Sequence, residues 1–448
     1  MPSFAKSEAI LKRNQRAIPG GVVSTNRAVD PPIVFERGEG AWMWDVDGNS
    51  YLDYHAAFGP YVLGHNDAHV NEAVLRVLED KASLFGSGTT ELEGKLAQLI
   101  CDSVPFVESV QLLNTGSEAT YQAIRLARAA TERKHILKPQ GGYHGWHNDV
   151  AFNLMTPLSQ LGERRVADEY PHVPISAGIP EEHQSLVHAI NFNDLASVEA
   201  MCERYSVAAL IVEPILQNIG VVHPQKGYLQ GLRSLADKHG FVLIFDEVKT
   251  GFRHALGGYS TLSGVCPDLV VYGKAIANGF PISALAGKRS LMNLFVDADS
   301  TRRVLLAGTY NGHPVPVAAA IATIERLAEA DCEVYRRLDR LGMRLHVGME
   351  EIFRSGDITA SIARQGSAFC PYFMDHLPVD WHDLAQHHDF GFDLRLRREL
   401  LEHQIYFFQL AVKQCSLSAA HTDADVDFTL ESLQSALKSV TATASSSF

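Results

Sequence analysis

The feature that most constrains the fold is a set of short, continuous apolar runs in the middle of the chain. VAALIVEP at 207–214 and FVLIFDEV at 241–248 each end in acidic residues, and the segment between them has helical spacing and closes at Gly240. PDLVVYGK at 267–274 and ISALAGK at 282–288 follow. Strands that are apolar throughout and alternate with helices are typical of a mostly parallel sheet covered on both faces. The sequence therefore predicts an α/β fold.

The same alternation begins earlier in the chain. QLLN, which ends at Asn114, is a predicted strand, and the segment from Ser117 has apolar residues at helical spacing. HILKP at 135–139 is the next predicted strand. These segments extend the predicted parallel sheet toward the N-terminus.

The last third of the chain has a different pattern. Helix-like stretches at 316–330 and 392–405 surround short strands, which predicts a smaller α+β C-terminal domain beside the large α/β domain. The predicted divisions are an N-terminal segment at 1–62 that contributes to the small domain and the substrate pocket, a large cofactor-binding domain at 63–315, the small domain at 316–440 and a disordered tail at 441–448.

Composition argues against several classes of partner. The chain carries 39 basic against 52 acidic residues, a net charge of −13, which argues against nucleic-acid and anionic-membrane binding. No apolar run approaches the ~20 residues of a membrane span. The six cysteines form no C-x-x-C pair, and the N-terminus lacks an apolar signal core, so we expect a cytoplasmic protein. His144 and His147 form H-x-x-H without a third ligand, and no metal is predicted.

Polar residues occupy the ends of four predicted strands. Asn114–Ser117 joins a strand to a helix, Glu213 and Asp246 each end a strand, and Lys274 follows another. Each has an ordinary explanation by itself, as a turn, a cap or a surface lysine. Ligands of open parallel sheets bind beyond the carboxyl ends of the strands, so the joint occurrence favours a binding site there.

The residue types at these strand ends match one cofactor. Gly116 and Ser117 open a helix whose free N–H groups suit a phosphate. Asp246 is suited to keep a proton on a pyridine-type nitrogen, and Lys274 can form a Schiff base with an aldehyde. Tyr143 offers an aromatic face to a flat ring. Together these residues predict pyridoxal 5'-phosphate (PLP), the electron sink of amino-acid chemistry.

Several longer segments resemble the class III aminotransferases of fold type I. They are NTGSEATYQAIRLAR, GGYHGWH, LIFDEVKTGFR, PDLVVYGKAIANGFPISALAGK and LAGTYNGHP, and the interval of 28 residues from Asp246 to Lys274 is also similar. The resemblance covers about residues 17–430. IPGGVVSTNRA and WDVDGNSYLDYHAAFGPYVLGH are most similar to glutamate-1-semialdehyde 2,1-aminomutase and its aminotransferase relatives.

The resemblance implies a role for each matched position. Lys274 is expected to bind the cofactor as a Schiff base and then to move the proton between Cα and C4′, while Asp246 pairs with the ring nitrogen. The other expected cofactor contacts are Gly116 and Ser117 at the phosphate, Tyr143 and Val248 on the two ring faces, Glu213 and Asn218 at the ring substituents, and Thr309 at the phosphate of the neighbouring subunit. The resemblance therefore also implies a homodimer with interfacial active sites.

The substrate side departs from the aminomutase pattern. Arg27, beside Ser24, stands where aminomutase-like relatives keep a carboxylate-binding arginine. Counting back from HTDADVD, the position where the aminomutase has a glutamate facing that arginine either holds Lys413 or lies within a shifted loop. Lys413 is either a second cation for a substrate carboxylate or an exposed residue.

The substitution at position 413 favours one reaction over another. Two cations around one pocket favour a ping-pong aminotransferase that exchanges an amino group between a carboxylate-bearing amine, an α- or β-amino acid, and a keto acid. The alternative is glutamate-1-semialdehyde 2,1-aminomutase, or another isomerase or racemase on the same scaffold.

Overall fold

The fold is described from a computed structural model that covers residues 2–82 and 87–445. The strands are β1 Phe35–Glu39, β2 Trp42–Asp45, β3 Ser50–Asp53, β4 Ser109–Leu113, β5 His135–Pro139, β6 Val187–Ile190, β7 Val207–Val212, β8 Val242–Glu247, β9 Leu269–Tyr272, β10 Ser283–Gly287, β11 Ser361–Gln365, β12 Ala368–Tyr372, β13 Ile405–Tyr406 and β14 Cys415–Ser416. The helices are α1 Ala5–Asn14, α2 Ala68–Glu79, α3 Glu91–Ser103, α4 Gly116–Thr131, α5 Leu158–Leu161, α6 Glu181–Gln184, α7 Leu195–Arg204, α8 Tyr228–His239, α9 Tyr259–Ser263, α10 Arg289–Met292, α11 Pro314–Ser355, α12 Trp381–His387, α13 Phe390–Glu402 and α14 Asp423–Ser445. Short 3₁₀ helices lie at Pro19–Gly21, Thr25–Arg27, Ala56–Phe58, Lys274–Ala277 and Asn293–Val296.

The chain divides into two compact units. The larger unit comprises 68–336 and 377–388, and the smaller one comprises 1–67, 337–376 and 389–448. Within the described residues, no helix combines the length and apolar character that a membrane span requires.

The larger unit is built on a seven-stranded sheet with the order β4-β10-β9-β8-β7-β5-β6. β10 is antiparallel to both of its neighbours, and the pairs from β9 to β6 are parallel, so six strands share one direction. Every residue of β7, β8 and β9 is buried, as expected for strands covered on both faces. The fold is therefore the mostly parallel α/β sheet that the apolar runs predicted.

Helix α4 shows how the local sequence supports this sheet. Its apolar face, including Ala123, Ile124 and Ala127, is fully buried, and the helix packs across strands β4 and β7–β10.

Helix α8 ends at a glycine. Gly240 has φ +69°, and its N–H donates to the carbonyl of Ala236 at 2.8 Å. A left-handed residue closing a helix is most often glycine, which explains the predicted stop at that position.

The smaller unit contains two sheets. The first has the order β1-β2-β3-β13, and the second has the order β11-β12-β14. Helix α13 contacts both α14 and β13. This mixture of short strands and helices matches the predicted smaller α+β domain, although the predicted helix at 392–405 was too long, because it ends at Glu402 and Ile405 begins β13.

The predicted boundary at 315/316 differs from the observed division at 336/337. Helix α11 leaves helical geometry at 329–332, but the residues before and just after this kink remain with the larger unit. Glu325 pairs with Lys95 at 2.8 Å, and the Tyr335 hydroxyl donates to the carbonyl of Phe252 at 2.9 Å. Arg337 instead donates to the carbonyl of His421 in the smaller unit at 2.7 Å.

Two other predicted boundaries also differ. Residues 377–388 return to the larger unit, where the indole of Trp381 donates to the carbonyl of Thr156 at 2.8 Å. The predicted disordered tail was wrong for 441–445, because α14 continues through Ser445 and the Thr441 hydroxyl donates to the carbonyl of Leu437 at 2.9 Å. The remainder of that tail, 446–448, lies outside the described residues.

Candidate active site

The predicted cofactor residues of the larger unit lie at one edge of its sheet. Gly116 and Ser117 follow β4, Tyr143 follows β5, Glu213 follows β7, Asp246 lies at the end of β8, and Lys274 follows β9. Because these strands share one direction, their carboxyl ends meet at the same edge of the sheet. Asn218 and Val248 lie on the connections that leave β7 and β8.

The N-terminus of α4 presents two free backbone donors. The Thr115 hydroxyl accepts from the N–H of Glu118 at 3.3 Å, and the Glu118 carboxylate accepts from the N–H groups of Asn114 and Thr115 at 2.9 and 3.3 Å. In the described part of the chain, the N–H groups of Gly116 and Ser117 meet no acceptor. Two free donors at the positive end of a helix form a binding site for a phosphate.

Val248 lies against this helix start because Gly116 leaves room for it. A Cβ on Gly116 would lie 2.9 Å from Val248 Cγ2, closer than side-chain carbons approach in folded proteins. A Cβ on Gly273 would lie 3.4 Å from Val248 Cγ1. The valine is therefore held between the first turn of α4 and the residue before Lys274.

The GGYHGWH loop folds over the same region. The N–H of Tyr143 donates to Glu213 at 2.9 Å, and the N–H of Trp146 donates to the Ser117 hydroxyl at 3.3 Å. Gly145 has φ +117°, and a Cβ there would lie 2.8 Å from Ser117 Oγ. The loop thus brings the half-buried Tyr143 next to the helix start. Burial raises the pKa of the Tyr143 hydroxyl, and the Asp246 carboxylate adds to the shift.

Asp246 is a buried carboxylate with fixed partners. It is 2% exposed; its Oδ1 accepts from the N–H of Val248 at 3.0 Å, and its Oδ2 lies 2.8 Å from Nδ1 of His144. The other ring nitrogen of His144 is buried and has no hydrogen-bond partner among the described residues. The pair holds a negative charge in one orientation at the sheet edge.

Lys274 combines an unusual backbone with a free amino group. Its φ is +49°, a conformation that costs a non-glycine residue about 1 kcal/mol or more and is concentrated at functional sites. The side chain is half-buried, and within the described residues its Nζ makes no hydrogen bond or ion pair. Burial lowers the pKa of Lys274, although the Asp246 and Glu213 carboxylates oppose the shift. A lysine with a lowered pKa is a better nucleophile near neutral pH.

Glu213 and Asn218 complete the cluster. Glu213 is 2% exposed and accepts from the N–H groups of Tyr143 and Gln217, both at 2.9 Å. Burial raises the pKa of Glu213, and Asp246 adds to the shift, whereas His144 and Lys249 oppose it. The Asn218 amide donates to the carbonyl of Gly141 at 3.1 Å, which ties the β7 connection to the GGYHGWH loop.

The remaining predicted residues lie outside this cluster. Thr309 is exposed on the larger unit, in a loop that is tied to the start of α4 by the bond from Asn114 to Asn311 at 2.9 Å. Ser24, Arg27 and Lys413 belong to the smaller unit. Arg27 is exposed at the end of a 3₁₀ turn, and its N–H donates to the carbonyl of Ser24 at 2.9 Å. Lys413 is 8% exposed, which overturns the alternative that it is a surface residue.

A comparison with protein-family models decides the affiliation. Residues 23–397 match the model described as aminotransferase class-III. The chain belongs to the class III aminotransferase family. The resemblance predicted from its motifs is thereby confirmed, and so is its nature as a PLP-dependent enzyme of the transferase or isomerase type.

Curated relatives match this class III chain over nearly its whole length. Glutamate-1-semialdehyde 2,1-aminomutase 2 of Brevibacillus brevis is 38% identical to this chain. The match covers 97% of this chain and 98% of that relative. Glutamate-1-semialdehyde 2,1-aminomutase of Desulforudis audaxviator is 39% identical with the same coverage of both chains.

Solved structures give the same fold. An ω-transaminase from Sphaerobacter thermophilus matches 97% of each chain at 30% identity, with a TM-score of 0.89. A transaminase with PLP bound matches 98% of this chain and 99% of its own at 26% identity, with a TM-score of 0.86. A glutamate-1-semialdehyde aminomutase from Pseudomonas aeruginosa, in complex with PMP, matches 97% of this chain and 95% of its own at 23% identity, with a TM-score of 0.84. At 23% identity, the similarity to the Pseudomonas aeruginosa enzyme shows a shared fold only.

The residues of the class III chain fit its cofactor. PLP needs a phosphate site, a partner for its ring nitrogen and an amine for its aldehyde. The free N–H groups of Gly116 and Ser117, the buried carboxylate of Asp246 and the free amine of Lys274 supply these groups at one sheet edge. When bound, PLP acts as an electron sink for a carbanion at the Cα of an amino acid.

Sequence reasoning missed the contribution of His144. The H-x-x-H pattern was weighed only as a metal motif, but His144 bonds Asp246, and His147 Nε2 lies 3.1 Å from the Thr120 hydroxyl. The available signal was a histidine two residues after GG, in the loop that was predicted to cover the cofactor. The buried Lys138, in the strand that leads into this loop, was also missed.

Proposed function

We propose that this class III protein is an aminotransferase that exchanges an amino group between a carboxylate-bearing amine and a keto acid by a ping-pong mechanism. One observation carries the proposal. Lys413 is a buried lysine at the position where the aminomutase resemblance calls for a glutamate, and Arg27 belongs to the same unit of the chain. Two basic side chains at the substrate pocket would attract a substrate carboxylate and favour its staying bound throughout the cycle.

The geometry of the sheet edge supports the cofactor-binding roles that the resemblance implies. We propose that the N–H groups of Gly116 and Ser117 bind the phosphate, and that Asp246, oriented by His144, keeps the ring nitrogen protonated. We propose that Tyr143, whose loop is bonded to Ser117, and Val248, which packs against Gly116, contact the two ring faces. Glu213 and Asn218 orient the ring substituents.

Lys274 is proposed to have two tasks. Its amine binds the cofactor covalently, since its pKa is lowered by burial and its Nζ has no competing partner in the described residues. Once released by substrate, the same amine takes the proton from the substrate Cα and returns it at C4′. A single positioned base on one face of the ring keeps this transfer away from water.

The aminomutase reaction is the second candidate. The names of the curated relatives, at 38% and 39% identity, favour it more directly than they favour an aminotransferase. Two solved structures above 25% identity are instead named as transaminases. The substitution at Lys413 decides our preference, because a lysine there removes the acidic partner that the aminomutase pattern pairs with its arginine.

The need for a second substrate separates the two candidates. An aminotransferase that receives an amino donor alone converts at most one equivalent per active site and turns over only when a keto acid is added. An aminomutase converts glutamate-1-semialdehyde to 5-aminolevulinate without any acceptor. We expect multiple turnovers only with a donor and acceptor pair. Formation of 5-aminolevulinate faster than turnover with any such pair would establish the aminomutase instead.

Arg27 and Lys413, with Ser24, are proposed to bind the substrate carboxylate. In the same assay, Arg27→Ala should raise KM strongly and leave the absorbance of the bound cofactor unchanged, because the arginine is proposed to contact substrate and not cofactor. Lys12→Ala, which removes an exposed lysine of α1 in the same unit, is the matched control and should leave KM unchanged.

We also propose a homodimer in which Thr309 contacts the phosphate of the neighbouring subunit's cofactor. Thr309 is exposed, and three large apolar side chains near it in sequence, Val296, Leu305 and Tyr310, are 73%, 68% and 60% exposed. Such a concentration of exposed apolar residues is typical of a surface that another chain covers.

A further inference from the structure

A cluster of metal-ligating side chains lies in the larger unit, outside the candidate active site. It consists of Glu169, His172 and His188, whose potential ligand atoms all lie within 4.8 Å of one another. Nδ1 of His188 is 3.5 Å from Oε2 of Glu169. Ligands bound tetrahedrally to zinc at ~2.0–2.1 Å are separated by about 3.4 Å, so this pair already has the spacing of two zinc ligands.

Each histidine of the cluster has one ring nitrogen engaged by a residue outside the cluster. Nε2 of His172 is 2.8 Å from the carbonyl oxygen of Val187, which can only accept, so this nitrogen carries the proton and Nδ1 keeps its lone pair. Nε2 of His188 is 2.9 Å from Nδ1 of His135. Nδ1 of His188 is buried and has no hydrogen-bond partner among the described residues. Metal-bound histidines characteristically donate their second N–H in this way.

Glu169 is held by its other oxygen. Its Oε1 accepts from Arg204 at 3.1 Å and from the hydroxyl of Tyr205. The ring of Tyr205 also stacks on His188, with centroids 4.0 Å apart and planes 17° apart. Oε2 is therefore directed toward the histidines, and the supporting residues restrict both the carboxylate and the ring of His188.

The cluster is remote from the cofactor residues. His135 is the first residue of β5, His188 is the second residue of β6, and Tyr205 precedes β7. These are the amino ends of parallel strands, whereas the cofactor residues follow the carboxyl ends. Strands of four to six residues separate the two edges by roughly 13–20 Å. An ion in this cluster would not contact the reacting atoms.

We propose that Glu169, His172 and His188 bind one divalent cation of borderline softness, such as Zn²⁺. The bound cation would link the connection before β6 to the strands at the amino edge of the sheet. Two imidazoles and a carboxylate are ligands that Zn²⁺ and its chemical neighbours accept, and water can fill the fourth position. The proposal does not depend on the reaction that the enzyme catalyses.

The test uses the full-length holoenzyme after dialysis against a chelator. Co²⁺ is titrated while its visible absorption is recorded, and Zn²⁺ is then added as a competitor. We expect one equivalent of Co²⁺ with the intense bands of low-coordinate cobalt, displacement by Zn²⁺, and a higher Tm with Zn²⁺. His172→Ala and Glu169→Gln should weaken Co²⁺ binding at least about 10-fold.

A matched control is His69→Ala, which removes an exposed histidine elsewhere in the larger unit and should leave Co²⁺ binding unchanged. Both test positions are only half-buried, and circular dichroism checks that the variants fold. The proposal is overturned if the wild-type protein shows no low-coordinate Co²⁺ spectrum. It is equally overturned if His172→Ala and Glu169→Gln bind Co²⁺ as the wild type does.

Discussion

At the scale of single residues, Asp246 is a buried carboxylate whose two oxygens are held by the N–H of Val248 and by His144. We expect Asp246→Asn to fold and to retain cofactor, because the amide has the same shape. Turnover should fall by about 10²–10³-fold or more, since a neutral group stabilises a developing charge poorly. Steady-state kinetics of the cofactor-loaded variant measures the loss.

The control for this change is Asp237→Asn, an exposed carboxylate on α8 that pairs with Arg233. It should leave turnover within about twofold of wild type, as surface substitutions usually have small effects. Near-normal turnover in Asp246→Asn would contradict the proposal that this aspartate keeps the ring nitrogen protonated.

The buried Lys138 should make the stability of the protein depend on pH. It is fully buried in β5, and its Nζ donates to the carbonyl of Phe152 at 2.7 Å. Burial lowers the pKa of Lys138 to about 7, although Glu213 opposes the shift. The unfolded chain has a lysine pKa of ~10.4, so between these values the unfolded chain holds a proton that the folded chain has released. The free energy of unfolding therefore rises with pH across this window.

Lys138→Met should remove this contribution. From pH 7.5 to 9.5, the wild type should gain free energy of unfolding relative to the variant, by up to about 1.4 kcal/mol per pH unit. Urea unfolding of both proteins at three pH values measures the difference. Lys226→Met, which removes an exposed lysine, should keep the wild-type dependence. If Lys138→Met also keeps it, Lys138 is not the titrating group.

At the scale of elements, the first turn of α4 has no room for a side chain at Gly116. We expect Gly116→Ala to push Val248 away or to shift the helix start, because its new Cβ would lie 2.9 Å from Val248 Cγ2. Cofactor affinity should fall at least about 10-fold while the helix content is unchanged. Equilibrium dialysis against PLP gives the affinity, and circular dichroism gives the helix content.

Gly94→Ala on α3 is the control for Gly116→Ala. A Cβ on Gly94 would meet nothing within 4 Å, so this change should leave cofactor affinity intact and stabilise its helix by roughly 1 kcal/mol. Equal cofactor affinity in both variants would show that the contact between Gly116 and Val248 is unimportant for binding.

Elements whose patterns are local were predictable from the sequence. β5 occupies 135–139 as predicted, and Gly240 ends α8, because continuous apolar strands and a glycine stop are encoded by neighbouring residues. The division within α11 was not predictable in this way. It depends on partners far away in the chain, such as Phe252 for Tyr335 and His421 for Arg337.

The same distinction applies to the candidate site. Gly116, Asp246 and Lys274 stand at strand ends, so the topology of a parallel sheet brings them together without further information. His144 was missed because its bond to Asp246 joins residues 102 positions apart. Lys138 was missed because an isolated lysine in an apolar strand gives no sign of where its amine will lie.

At the scale of the whole molecule, the proposed dimer predicts that exposed apolar side chains near Thr309 are covered in solution. Leu305→Glu should weaken association, because the interface would have to bury a charge, and activity should fall with it. Sedimentation velocity at assay concentration measures the oligomeric state. Leu262→Glu, at a 52% exposed leucine on α9, is the control and should remain dimeric. A fully active wild-type monomer would exclude the proposal.

The central claim is that this class III enzyme works through Lys274, and borohydride reduction followed by peptide mapping tests it most directly. Reduction fixes the cofactor to the lysine that holds it. We predict a single pyridoxyl group on Lys274, and no such group and almost no turnover in Lys274→Ala, whereas Lys226→Ala should behave as the wild type. A pyridoxyl group on any other lysine of the wild-type protein would contradict the account.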